Sequence, residues 1–242
     1  HRDRPGLLGD VASIMGMLEI NIISINGVKS KTRGMLIQTD DEEKIEILGK
    51  LLAKVETITV NALRSPKLTD ILAVRHGRFI ERDAGDRKTF RFTRDELGLL
   101  VDFLGEVFKR EGSQIIGLRG MPRVGKTESV IAGSVCANKR WTFLSSTLLR
   151  QTVRSQLSEE EMNPNNVFII DGIVSTVRSN EKHYMLLQEV LAMPATKVIE
   201  HPDIFIRESG FDSSKFDYII ELRNTPDEEI TYDSFLGNYE GF

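Results

Sequence analysis

The stretch that decides the fold is Gln114-Ile115-Ile116-Gly117-Leu118-Arg119-Gly120-Met121-Pro122-Arg123-Val124-Gly125-Lys126-Thr127-Glu128. A short apolar run leads into a glycine-rich turn, and Ser129-Val-Ile-Ala-Gly-Ser-Val-Cys-Ala then reads as helix. Residues 120–127 satisfy the pattern G-x-x-x-x-G-K-[ST]. The pattern carries a mechanism. Its two glycines let the backbone close around a phosphate with N–H groups turned inward. The loop then opens a helix, whose free first-turn amides and dipole favour an anion. Lys126 is placed to reach the outer phosphates, and the Thr127 hydroxyl is a candidate magnesium ligand. The spacing therefore predicts a cradle built from Gly120, Pro122, Arg123, Val124, Gly125, Lys126, Thr127 and Glu128 for a nucleotide, ATP or another nucleoside triphosphate with Mg2+. No N-K-x-D guanine signature occurs, which favours ATP over GTP.

Downstream, apolar runs alternate with helical patterns: Trp141 to Ser145, Val167-Phe-Ile-Ile-Asp171, Lys197-Val-Ile-Glu200 and Phe216 to Leu222 as strands, Thr147 to Arg154 and Tyr184 to Met193 as helices. Alternation of this kind predicts a doubly wound, parallel α/β sheet. Four apolar residues ending in an acid mark a buried parallel strand, and predict Asp171 at its C-terminal tip beside the phosphate loop. There it is expected to hold magnesium opposite Thr127. His183 and His201 read as surface residues, because lone histidines outside a ligand cluster are seldom acid–base groups.

The ends of these strands resemble nucleoside-monophosphate kinases. Leu149-Arg150 matches that family's acceptor-gripping pair, and Asp171-Gly172 opens a stretch in which the family's arginine is replaced by Ser175, with Arg178 one helical step on. The resemblance implies catalytic roles for Lys126, Asp171, Arg150 and Arg178. The loop and its acid make the expected activity a small phosphotransferase or NTPase regulated by the N-terminal half; the arginine-rich lid of the family has no counterpart after Glu200, which counts against an efficient kinase. The alternative is a non-catalytic nucleotide-responsive switch or scaffold acting on a partner protein.

Residues 1–65 read as α-β-β-α-β. A helix carries Leu7, Leu8, Val11, Ile14 and Met15 on one face. Two strands flank the polar turn Lys29 to Thr32, a helix opens on Asp40 to Glu43, and a last strand runs from Val55 to Leu63. With the opening Asp3-Arg4-Pro5-Gly6-Leu7-Leu8, this resembles the ACT domain, a ligand-sensing module with order β-α-β-β-α-β. The resemblance implies a regulatory and dimerisation half, with an amino-acid effector held by Asp3, Gly6, Leu7 and Asn21. No first strand precedes Asp3 in this sequence. Residues 66–113 read as a connector: a domain break at Ser65-Pro66, a hairpin over 68–92 and a helix capped by Thr93-Arg-Asp-Glu96. Residues 114–242 form the nucleotide-binding domain. The pair of modules resembles an uncharacterised bacterial family of that architecture, which brings no assigned reaction.

Composition narrows the classes. Net charge is −4 over 242 residues with both signs intermixed, which argues against a nucleic-acid binder. One cysteine, Cys136, cannot form an intrachain disulfide, as expected of a reducing compartment. No apolar run approaches the roughly 18 residues of a membrane helix, so no membrane partner and a cytoplasmic location are expected.

Overall fold

The computed structural model describes residues 5–29, 32–147, 149 and 152–231. It divides into two compact units, His1–Ile80 and Glu81–Phe242. Among the described residues no helix is long and apolar enough to cross a membrane.

In the first unit, α1 (Leu7–Met17) leads into β1 (Asn21–Lys29), which pairs antiparallel with β2 (Thr32–Gln38), and α2 (Glu42–Leu52) follows. Met15, Ile20, Leu48 and Leu52 form its core, with Met35 and Ile37 contributed by one face of β2. The strand expected over residues 55–63 is absent from the described structure. Its apolar residues are divided instead: Ile58 joins that core, while Val60 and Leu63 are exposed. Strand propensity alone did not add this segment to the open edge of β1 or β2. The unit continues into α3 (Leu68–His76), where a strand had been expected. Asp70 accepts from the Lys67 amide at 2.8 Å and pairs with Arg64 at 2.6 Å, fixing the helix start. Gly77 then ends it at φ 70°. A four-residue apolar run such as Ile71 to Val74 fits either period, and these caps decide between them.

The second unit opens with the hairpin β3 (Glu81–Arg82) and β4 (Thr89–Thr93), followed by α4 (Leu97–Phe108), β5 (Gln114–Gly120) and α5 (Lys126–Cys136). Next come β6 (Arg140–Phe143), β7 (Ser145–Ser146), β8 (Thr152–Val153), β9 (Asn166–Asp171), α6 (Gly172–Val177), α7 (Glu181–Ala192), β10 (Thr196–Glu200), α8 (Pro202–Ser209) and β11 (Tyr218–Arg223). One seven-stranded sheet runs β3-β4-β11-β5-β10-β9-β6, parallel throughout except for β3 at its edge. β4 thus belongs to this sheet rather than to a separate connector.

Helices α4 and α5 pack closely, because a Cβ on Gly133 would lie 2.7 Å from the Leu104 Cβ. Elsewhere in the unit, Phe168, Ile170, Ile199, Leu187, Val190, Phe205 and Phe216 share a second apolar cluster. The helix expected over 147–154 is not formed in the described residues. β7 and β8 pair there as an antiparallel hairpin, Ser145 with Val153 and Ser146 with Thr152.

Candidate functional site

The strand–loop–helix that opens the sequence reading is β5, residues 121–125 and α5. Gly120 has φ 155°, and a Cβ on it would meet the Leu222 carbonyl oxygen of the neighbouring strand at 2.5 Å. Arg123 (φ 61°) and Gly125 (φ 111°) adopt left-handed backbone, so the chain curls before the helix begins. Gly125 is the N-cap of α5 and brings no side chain to the first-turn amides. Lys126 follows, buried, with Nζ donating to the Gly120 and Met121 carbonyls at 2.9 Å each. Burial pulls its ammonium below the usual lysine range, against the charges of Glu200, Asp171 and Glu128.

Thr127 is the second residue of α5, and its hydroxyl donates to Glu200 Oε1 at 2.6 Å. Glu200 ends β10, the strand hydrogen-bonded directly to β5. Burial pushes its carboxyl up to about 7, opposed by the Lys126 charge and the Thr127 hydrogen bond. His201 follows in left-handed backbone (φ 55°), also buried; desolvation and then Lys126 hold its imidazole down to about 4. The expectation of a surface histidine fails at both positions, since His183 is fully buried as well.

Asp171 stands at the strand tip expected of it, near enough for its charge to act on Lys126, and the strand order adds its neighbour. Strand β10 lies between β9 and β5, so Asp171 faces Glu200 across the ladder rather than the loop strand. Its carboxylate is also committed. Oδ1 accepts from the Ile173 and Val174 amides at 3.0 and 3.1 Å, as the N-cap of α6. Oδ2 accepts from the Thr147 amide at 3.2 Å and hydroxyl at 2.5 Å. Four donors occupy the four acceptor positions of one carboxylate.

Of the remaining cradle residues, Val124 is buried under the loop, while Pro122, Arg123 and Glu128 are exposed. The Arg123 carbonyl accepts from Arg94 at 3.3 Å. Arg119, on β5 just before the loop, is taken by Asp203 (2.6 and 2.8 Å) and Glu221 (3.3 Å). Arg178 is exposed just past the far end of α6. Arg150 and Asp3 lie outside the described residues. Gly6 is the N-cap of α1 at φ 87° and Leu7 its first residue, while Asn21 opens β1 beyond the other end of that helix. An 11-residue helix spans about 16 Å, so one chain does not bring Asn21 to Gly6 and Leu7.

Among the described residues no three of His, Cys, Asp and Glu gather as a self-sufficient metal cage. The donor set at the loop is oxygen only, Thr127 Oγ1 and Glu200, which suits a hard cation completed by phosphate and water. Glu200 is the residue sequence reasoning overlooked. Its signal was present, because Thr196-Lys-Val-Ile-Glu200 is also a buried run ending in an acid.

Residues 60–239 match the model of a family described as "Protein of unknown function (DUF3388)". The chain is also similar to the "Uncharacterized protein YmfK" of Bacillus subtilis (strain 168), with 61% identity over 231 residues that cover 96% of this chain and 86% of that protein. No solved structure matches. The chain belongs to the DUF3388 family.

Proposed function

We propose that this DUF3388 member binds a nucleoside triphosphate with magnesium at the Gly120–Thr127 loop and hydrolyses it, with ATP as the favoured nucleotide. The observation that carries this reading is the pairing of Thr127 with Glu200 at the mouth of a left-handed loop, beside the buried Lys126. A threonine hydroxyl and a carboxyl on adjacent strand and helix ends, next to one buried ammonium, are the groups a magnesium–triphosphate needs. When bound, magnesium would neutralise the β- and γ-oxygens. Thr127 Oγ1 and Glu200 would hold it, and Asp171 would support them from the neighbouring strand through its caps rather than as a ligand. Lys126 Nζ would exchange its two carbonyl partners for phosphate oxygens. Hydrolysis is favoured over transfer to an acceptor because Arg178 sits away from the strand tips and Arg119 is held by two carboxylates.

The first unit supports a narrower proposal. Its two-stranded sheet leaves both outer strand edges without a ladder partner among the described residues, and open edges invite pairing with a second copy. We take the ACT-like reading, with a homodimer and an amino-acid effector, as the regulatory half on that basis. Sedimentation with and without an amino-acid panel tests it, and a monomer unaffected by every amino acid would remove it.

Thermal unfolding with ATP or GTP, each with magnesium or with EDTA, tests the main reading. Saturation at 100-fold over Kd adds about 2.7 kcal/mol, or roughly 5–11 °C for a chain of this size. Lys126→Ala and Thr127→Ala should lose the magnesium-dependent part of that rise. Equal shifts in wild type and Lys126→Ala, or none in either, would overturn the proposal.

A further inference from the structure

Behind the site runs a buried chain of polar groups. The Asp171 amide donates to Ser145 Oγ at 2.8 Å, and Ser145 Oγ lies 2.7 Å from Ser175 Oγ. Ser175 Oγ lies 3.0 Å from His183 Nε2, and His183 Nδ1 lies 2.7 Å from the Arg154 carbonyl oxygen. Ser145, Ser175, His183 and Asp171 are all buried, His183 completely.

The two ends fix its direction. A backbone amide can only donate and a carbonyl can only accept. Nδ1 therefore carries a hydrogen toward Arg154, and in the uncharged ring Nε2 accepts from Ser175. Ser175 in turn accepts from Ser145, which accepts from Asp171. Each gap holds one proton, with nothing left over. Ser145 Oγ also lies 3.1 Å from the Asp171 carbonyl oxygen, a second acceptor within reach of the one hydroxyl proton that this chain gives to Ser175, so its hold on that residue is the bond it accepts from the amide.

We propose that His183 is a positioning residue: acting through Ser175 and Ser145, it sets the main chain of Asp171 and so the rim on which Glu200 sits. The last step is steric as well as polar. Asp171 pairs with Glu200 in the β9–β10 ladder, and a Cβ on Gly172 would lie 2.7 Å from the Glu200 carbonyl oxygen. Backbone movement at 171–172 has little room to be absorbed before it reaches Glu200 and, through it, Thr127. The functional side of this inference rests on the magnesium–nucleotide reading above; the relay itself does not.

Two substitutions at one position separate the relay from general packing. In His183→Gln the side-chain Oε1 stands where Nε2 stood and still accepts from Ser175. In His183→Asn the shorter amide can reproduce only the donor toward Arg154. Amide hydrogen exchange is read at Asp171 in the nucleotide-free protein, with Val198 in β10 as an internal reference. Ser175→Ala and His183→Asn should speed exchange at Asp171 about tenfold, the worth of one hydrogen bond, while His183→Gln stays near wild type and Val198 is unmoved in all three. Unchanged exchange at Asp171, or equal acceleration at Asp171 and Val198, would overturn the relay.

Turnover gives the second readout. His183→Asn and Ser175→Ala should each lower kcat about tenfold, in the range for loss of a supporting contact, with KM for the nucleotide within about twofold. The double variant should be no worse than either, because both break one chain. A rise in KM that accounts for the whole loss would overturn the positioning role. If the wild type shows no loop-dependent turnover, the nucleotide reading fails, and the exchange pattern still decides the relay.

Discussion

Replacing Glu200 by glutamine should make the ligand-free protein more stable at pH 8 and change it little near pH 5. The reasoning starts from a carboxyl that burial raises from 4.5 to about 7. Between those values the folded chain retains a proton that the unfolded chain has released. The folded state then binds more protons, so stability falls as pH rises through this window and levels off above about 7. At 1.36 kcal/mol per pH unit, the full window corresponds to about 3 kcal/mol. Glutamine has no proton to lose, and its Oε1 can still accept from Thr127. The buried Lys126 keeps its Gly120 and Met121 carbonyl partners in the variant. Glu200→Gln should therefore gain about 3 kcal/mol over wild type at pH 8, or roughly 6–12 °C in Tm for a chain of this length. Thermal and urea unfolding in EDTA at pH 5, 6, 7 and 8, for both proteins, give the comparison. A difference that stays constant across that range, or a wild type that gains on the variant as pH rises, would refute the argument. With magnesium and ATP added, the order should reverse, because the variant loses a ligand for the cation.

Three further outcomes follow from packing and pairing. Gly172→Ala would place a Cβ 2.7 Å from the Glu200 carbonyl and 2.9 Å from that of His201. It should cost about 1–3 kcal/mol, whereas Gly98→Ala on the exposed side of α4, with nothing within 4 Å, should be neutral or stabilising in the same calorimetric scan. Phe168→Ala removes a fully buried ring from the cluster around β9 and should lower stability by about 3–5 kcal/mol in urea titration. The Arg154 guanidinium, bonded to Glu161 at 2.5 and 2.9 Å, and then the Ser158 amide hold that carboxyl down to about 2. Its contribution is complete above the ordinary glutamate range and is lost as pH falls toward 2. The stability gap between wild type and Glu161→Gln should accordingly close over that interval.

The curled loop between β5 and α5 was legible in residues because its pattern is local. Two glycines, a lysine and a threonine act within one turn of backbone, and Gly120, Arg123 and Gly125 take the positive φ values such a turn needs. The run Val167 to Ile170, apolar throughout and ending in an acid, gave β9 for the same reason, since a strand buried on both faces leaves that signature; β5 carries Ile115 to Leu118, broken by Gly117, and β10 the shorter run Val198-Ile199. Segments whose pattern fits two periods were not decided locally. Ile71 to Val74 became helix through its caps, and Val55 to Leu63 forms no ladder among the described residues although β1 and β2 each leave an edge open. Residues 147–154 carry a helical pattern, yet Thr147 is drawn to Asp171, and Thr152 and Val153 pair with Ser146 and Ser145.

Strand order is the decision that sequence could not make. The residues of β9 and β10 announce two equivalent acid-tipped strands, Asp171 and Glu200, and nothing in either run states which will lie against β5. Sheet neighbours are chosen by non-local pairing and by the volumes that helices on the two faces must fill. Here that choice puts β10 against β5, hands Thr127 to Glu200, and leaves Asp171 as the cap of α6. Sequence alone determined that residues 120–127 carry the G-x-x-x-x-G-K-[ST] pattern between a strand and a helix. Tertiary structure decided which carboxyl stands beside it, because proximity across a sheet is written in no single segment.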